Sequence, residues 1–226
     1  MTLKFTGFPA QSFQFLHNLR EHNTKEWFQT HRQDYQQFIF QPMQDLVEDL
    51  APLMLSIDPL VEVTPAVNKT IARIYRDIRF SKDKSPYRTT QWLAFKRPRQ
   101  EWQNHPAYFF ELLPESYRFG MGFYCADRNT MDRFRADLDN NPTPFLAATG
   151  FFNQGLFALE GESYKRPLKA DIPPALHDWY NRKSFYLVNS QPVGEKGIPA
   201  AFSGELATAF EALAPFYQYL SSLIQP

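Results

Sequence analysis

The sequence predicts an α+β fold in which an antiparallel β-meander is packed by helices from the two ends of the chain. Three observations carry this. Apolar residues recur at helical spacing through the first 57 residues. Short segments rich in Ile, Tyr, Phe and Trp follow between residues 70 and 125, joined by turns too brief for a crossover helix. Mixed helical and strand patterns then fill residues 127–226. No internal repeat or low-complexity linker separates these stretches, so the expected organisation is one α+β domain over residues 1–226.

After Pro9, the residues Phe13, Leu16 and Leu19 mark a first helix over 10–21 that stops at the polar "EHN". Asn23 or Thr24 can cap a second helix, which carries Trp27, Phe28, Tyr35 and Phe38. Pro42 is expected to interrupt it before Met43, Leu46, Val47, Leu50, Leu53 and Met54 carry the pattern on to "SIDP". The middle segments "TIARIYRDIRF", "TQWLAFK", "AYFFELL" and "SYRFGMGFYCA" read as strands. The first of them also fits a helical stripe through Ile71, Ile74, Tyr75 and Ile78. Its β-branched residues and the three aromatic runs that follow favour a strand with Ala72, Ile74, Ile78 and Phe80 inward and Arg73, Tyr75, Asp77 and Arg79 on the other face. The two glycines of "FGMG" at 119–122 are too sparse for a phosphate loop and suggest a bulge or close packing. Beyond them, Asp127 or Asn129 can cap a helix with Met131, Phe134 and Leu138, followed by a short apolar segment from Phe145 to Phe152. A helix capped by Asp171, a strand at "SFYLVN", and a helix or helix pair from Phe202 broken at Pro215 complete the reading.

Composition excludes several classes. With 226 residues, 43% hydrophobic and 22 of them Phe, the chain can bury a core without disulfides or metal. The single cysteine, Cys125, has no partner for an internal disulfide, which fits a reducing compartment. The N-terminus "MTLKFTGFPAQSF" has no signal-type apolar run, and no stretch approaches the ~20 apolar residues of a membrane span. A cytoplasmic protein without a membrane role is expected. No G-x-G-x-x-G, P-loop, G-x-S-x-G or H-E-x-x-H occurs, so no cofactor is called for. His17, His22 and His31 share no i, i+4 face, so surface or capping roles are expected of them rather than metal binding.

The formal net charge of zero hides an asymmetry. Residues 69–99 hold ten Lys or Arg against Asp77 and Asp83, whereas residues 34–68 hold six acids and no base. The two blocks can neutralise one another or stand as solvated faces. Within the basic block, "RIYRDIRFSKDKSPYRTT" at 73–90 gathers Arg73, Arg76, Arg79, Lys82, Lys84 and Arg88. Guanidiniums flanking Asp77 make fork-shaped donors suited to phosphate or carboxylate, with Asp77 free to hold an arginine or act as a base. The following turn adds Ser81, Ser85, Tyr87 and the stiffening Pro86. A structural Arg and Asp network joining sheet to helices is the alternative.

"NTKEWFQTHRQDY" followed by "RIYRDIRFSKDKSPYRTT" closely resembles the family known as domain of unknown function 2461. Its pattern runs Asn-Asn-x-x-Trp-Phe and then Arg-x-x-Arg-Asp-x-Arg-Phe-Ser-x-Asp-Lys-x-Pro-Tyr-Lys. The resemblance covers essentially the whole chain, more loosely beyond residue 127, and implies that Asn23, Trp27, Phe28, Arg73, Arg76, Asp77, Arg79, Phe80, Asp83, Lys84, Pro86 and Tyr87 are characteristic positions. His22 stands where Asn is common and Arg88 where Lys is, so a role that needs a titratable amine at 88 is not met. The family implies a fold and a site, not a reaction.

Three readings stay open. In the first, an anionic small molecule binds to Arg73, Arg76, Arg79, Lys82, Lys84 and Arg88 beside Asn23 and Trp27, with Asp77 or Tyr87 moving a proton if the site is enzymatic. In the second, cations interleaved with Tyr75, Tyr87, Trp92 and Trp102 meet nucleic acid, against which the overall neutrality argues. In the third, exposed aromatics meet a protein partner. A pocket favours the first, a continuous basic groove the second, an exposed aromatic patch the third. Oligomeric state is not legible.

Overall fold

The computed structural model describes residues 3–98, 104–123, 126–169 and 171–224. Arg99, Trp102 and Cys125 therefore lie outside the described residues. Helices and strands are mixed, as predicted. One antiparallel sheet of five strands has the order β2 (Gln91–Phe95), β3 (Ala107–Leu112), β4 (Ser116–Gly122), β6 (Tyr186–Pro192), β5 (Ala158–Glu160). A two-stranded sheet pairs β1 (Gly7–Pro9) with β7 (Gly197–Pro199). The first three strands form the expected meander, and their connections are short enough to demand antiparallel neighbours. The chain divides into two compact units, the first made of residues 1–95, 109–119 and 190–208, the second of the remainder.

In the first unit, α1 (Ala10–Glu21) buries Phe13, Phe15, Leu16 and Leu19. Thr24 caps α2 (Lys25–Thr30) by accepting the Trp27 N–H at 3.2 Å, and leaves Asn23 for another task. The helical run continues through α3 (Arg32–Tyr35) and a π turn over Gln36–Phe40 into α4 (Gln41–Ile57). Pro42 does not interrupt it, contrary to expectation. At the first turn of a helix its missing N–H costs little, and the backbone widens just ahead of it so that the Gln41 N–H reaches Gln36 O. The Phe38 carbonyl, which Pro42 cannot serve, accepts from Ser12 Oγ at 2.6 Å. Asp49 holds the N-terminus by accepting the Lys4 and Phe5 N–H groups, and Lys4 also pairs with Glu48.

Residues 70–80 are not a regular strand. Isolated bridges join Ile71 to Leu93 and Tyr75 to Tyr87, with three residues between them on one arm (72–74) and five on the other (88–92). The mismatch makes a ladder impossible, and Pro86 has no N–H to give one. The result is an irregular hairpin held by Ala72 N–H to Trp92 O, Ala94 N–H to Thr70 O, Arg76 N–H to Pro86 O and Arg88 N–H to Ile74 O, all at 2.8–3.0 Å. The alternation of faces survives as far as residue 79: Arg73, Tyr75, Asp77 and Arg79 are exposed while Ile74 is buried.

In the second unit, Asp127 caps α5 (Arg128–Asn140) by accepting the Thr130 N–H at 2.7 Å. The apolar segment at 145–152 falls in α6 (Thr143–Ala148) and a 3-10 turn. The next helix, α7 (Pro174–Tyr180), starts later than predicted: Pro173 rather than Asp171 precedes it, and no side chain caps it, because Pro174 removes the first N–H that a cap would serve. The final helix, α8 (Phe202–Ser222), runs unbroken through Pro215. Its Tyr217 stacks on Tyr108 and Phe210 packs tilted against the same ring, and Phe216 joins Phe134, Phe145, Trp179 and Phe185 in a mainly edge-to-face aromatic core. Arg135, buried on α5, donates to Tyr180 O (2.9 Å), Arg182 O (2.6 Å) and Asp132 (2.9 Å), a structural clamp no sequence pattern announced. The glycines of "FGMG" mark a close approach: a side chain at Gly120 would meet the backbone carbonyl of Leu187, and one at Gly122 the backbone of Tyr186.

Candidate functional site

The basic stretch is the irregular hairpin of the first unit, and α2 positions it. Asn23 lies half-buried just before that helix. Its Nδ2 donates to Tyr87 O, and its Oδ1 accepts the Tyr87 N–H, both at 3.0 Å. The amide thus completes the backbone bonding of the return arm, which Pro86 leaves deficient. Phe28, one turn into α2, stacks on Tyr87 at 4.1 Å and 15°. Tyr75 crosses from the outgoing arm to Tyr87 at 5.1 Å, so aromatic contact backs the backbone bridge at the same pair. Trp27 is half-buried and packs elsewhere, against His31 at 4.0 Å and Phe15 at 5.5 Å.

Two residues that sequence reasoning passed over support the hairpin from below. Tyr35 Oη donates to Gln91 Oε1 at 3.1 Å, and Gln91 Nε2 donates to Ala72 O at 2.6 Å. Tyr35 was visible as part of a helical stripe. Gln91 was not, since a buried amide at a strand start leaves no periodic signal. Burial and the neighbouring Tyr75 phenol raise the Tyr35 pKa above the ordinary phenol value, and the same two causes raise that of Tyr87.

The cations divide into two groups. Arg76, half-buried, forms an ion pair with Asp83. Arg79 makes a fork on Asp77, Nε to Oδ1 at 2.9 Å and Nη2 to Oδ2 at 2.6 Å. Lys84 Nζ donates to Ile78 O at 3.0 Å. These three are engaged by the turn itself. Arg73, Lys82 and Arg88 are exposed, and among the described residues their side chains have neither a hydrogen bond nor an ion-pair partner. The acidic block contributes through Glu62, which meets Lys69 at 3.1 Å where the blocks join, while Glu48 takes Lys4; Arg76 and Arg79 use acids of their own stretch.

Both turn acids are held low. The Arg79 guanidinium, then the Arg79 N–H, keeps Asp77 well below the usual carboxylate range. The Ser85 hydroxyl and N–H, then Arg76, do the same for Asp83. Neither shift moves its group toward the near-neutral proton affinity that favours general acid–base catalysis. Ser85 N–H and Oγ donate to Asp83 Oδ1 at 2.9 and 2.6 Å, and the Arg79 N–H donates to Asp77 Oδ1 at 3.2 Å. These local bonds end the extended conformation and turn the chain. Phe80, predicted inward with Ile74 and Ile78, is for that reason outside and 94% exposed, with the Arg79 guanidinium 5.8 Å from its ring.

No residue of the hairpin lines the open concavity of about 240 Å³ formed in the same unit by Ala10, Phe13, Gln14, His17, Pro114, Val193, Gly194 and Glu195. Among the described residues no group of three His, Cys, Asp or Glu side chains could hold a metal. Nor is any helix among them long and apolar enough to cross a membrane.

The hairpin sequence, its clasp by Asn23 and the aromatic seat on Phe28 together form one built motif. The pattern of the conserved hypothetical protein family DUF2461 matches residues 11–219. The chain belongs to the DUF2461 family. Searching curated proteins returns no match. In this DUF2461 protein the motif positions Asn23, Phe28, Arg76, Asp77, Arg79, Asp83, Lys84 and Tyr87 build the hairpin and hold its turn.

Proposed function

We propose that this protein is an anion-recognition module whose working surface is the hairpin of residues 73–88. The observation that carries the reading is the division of its cations: Arg76, Arg79 and Lys84 bond within the turn, while the exposed side chains of Arg73, Lys82 and Arg88 have no hydrogen bond or ion pair among the described residues. Six cations against Asp77 and Asp83 leave the stretch with four net positive charges in a chain whose formal net charge is zero. Each exposed cation contributes about 0.2–1 kcal/mol to a single charge contact, so a monovalent anion binds poorly and a ligand with several phosphates or carboxylates gains from each cation it reaches. The low proton affinity of Asp77 and the raised phenol of Tyr87 favour binding over acid–base chemistry.

Calorimetric titration with inorganic tripolyphosphate and with citrate tests this. Binding is expected in low salt, weakening as salt rises, and lost in the triple variant Arg73→Ala, Lys82→Ala, Arg88→Ala with its melting temperature unchanged. Wild type and triple variant binding alike, or neither binding at all, refutes the proposal.

A further inference from the structure

We propose that the turn of residues 79–85 docks on an acidic protein partner, Phe80 entering an apolar socket on that partner while Lys82 on the turn, and Arg73 and Arg88 on the arms beyond the Tyr75–Tyr87 bridge, meet carboxylates of the partner. This rests on the anion-recognition reading and names the kind of ligand. A single exposed apolar side chain is ordinary on a protein surface. Phe80 differs in what surrounds it. Its ring is 94% exposed at the apex of a turn whose backbone is bound by Asp77 to Arg79 N–H (3.2 Å), by Asp83 to Ser85 N–H (2.9 Å) and by Lys84 Nζ to Ile78 O (3.0 Å). Arg76 closes the loop on Asp83 from one arm to the other. The aromatic is thus presented on an ordered backbone, which removes the entropic cost that a loose loop incurs on binding.

That order is the argument for a protein partner. A bilayer accepts an aromatic from a loop of any shape and rewards further apolar neighbours, whereas the neighbours of Phe80 are Arg79 and Ser81. A nucleic acid asks for a basic surface longer than one turn, and the chain as a whole is neutral. A socket on a protein uses what the hairpin offers: one large side chain held on an ordered turn, and cations on the turn and along the arms for the rim of the contact. Full burial of a phenyl ring is worth about 10- to 150-fold in affinity. The rim cations set orientation and association rate more than strength.

The test replaces Phe80 with p-benzoylphenylalanine in the full-length chain, expressed in its own cells and irradiated there, with the same probe at Leu156, 51% exposed in the second unit, as control. A protein adduct specific to position 80 is expected. The captured protein, purified and titrated against wild type, should lose about 30-fold or more in affinity on Phe80→Ala. With the triple variant Arg73→Ala, Lys82→Ala, Arg88→Ala, the complex should form more slowly and lose its salt dependence. The inference is overturned by any of three results: no protein adduct above the control, a captured protein whose binding ignores Phe80→Ala, or binding to phosphatidylserine vesicles that requires Phe80 in place of a protein. Should tripolyphosphate still bind wild type and not the triple variant in such a case, anion recognition stands and the partner falls. If the triple variant alters neither, both fall.

Discussion

Asn23→Ala removes the clasp that ties the basic hairpin to the start of α2. The wild-type amide makes two hydrogen bonds of 3.0 Å to the backbone of one residue, Tyr87, in a half-buried setting. Each such bond is worth about 0.5–1.5 kcal/mol net, and a backbone group left without a partner costs about 1–3 kcal/mol more where water is excluded. Tyr87 is 1% exposed, but Asn23 itself is half-exposed, so solvent can repair part of the loss. The expected destabilisation is about 2–3 kcal/mol. For a chain of this size each kcal/mol lowers the melting temperature by about 2–4 °C, so a fall of about 4–12 °C is expected. Denaturant melts give the magnitude, and amide exchange gives the location. The Tyr87 N–H should lose protection, followed by the Arg88 N–H, whose bond to Ile74 O lies next along the arm. Asn23→Asp keeps the acceptor for the Tyr87 N–H but sets a carboxylate against Tyr87 O, so it should be no better than alanine. A melting temperature within about 1 °C of wild type, with Tyr87 still protected, would show that Asn23 does not hold the hairpin, and the account of the motif as a built turn would fail with it.

Ser12→Ala should destabilise by about 1–2 kcal/mol in urea, because Ser12 serves the Phe38 carbonyl that Pro42 cannot; a neutral result would mean the π turn needs no such donor. Arg79→Lys should leave the melting temperature within about 1 °C, since the Arg79 and Asp77 side chains are 76% and 41% exposed and such pairs contribute little; a large fall would show that the pair stabilises the turn more than an exposed pair can. Asp77 and Asp83 have folded-state pKa values below the ordinary 3.8, so their contribution to the turn is fully present above that value and is lost as pH falls through the lower folded pKa. Amide exchange at Arg79 and Ser85, corrected for intrinsic rates, should therefore be flat from pH 5 to 8 and rise only in stronger acid; loosening at neutral pH would contradict it. Arg135→Met should cost the second unit about 2–5 kcal/mol by leaving the Tyr180 and Arg182 carbonyls without a donor, and a change under 1 kcal/mol in a denaturant melt would refute the clamp.

Elements set by local chemistry were legible in the sequence. The 3.6-residue stripe of Phe13, Leu16 and Leu19 placed α1, Thr24 and Asp127 capped the helices they precede, and the aromatic runs of β2 to β4 could only pair as antiparallel neighbours across such short connections. The candidate site was legible as a place, because a dense run of cations stands out in a neutral chain. Its internal geometry was not. Whether Arg79 faces a ligand or Asp77 two residues away depends on a backbone turn, and that turn depends on hydrogen bonds to Asp77 and Asp83 that compete with the ladder a strand would need. Phe80 shows the consequence most directly: period-two alternation put it inward with Ile78, and the turn one residue earlier put it outside. Asn23, Gln91 and Arg135 bond to backbone groups 64, 19 and 45 or more residues away, so their roles existed only once the chain had folded and brought those carbonyls to them. A period records which face a residue occupies along its own element; which buried carbonyl needs a donor is decided between elements, by packing.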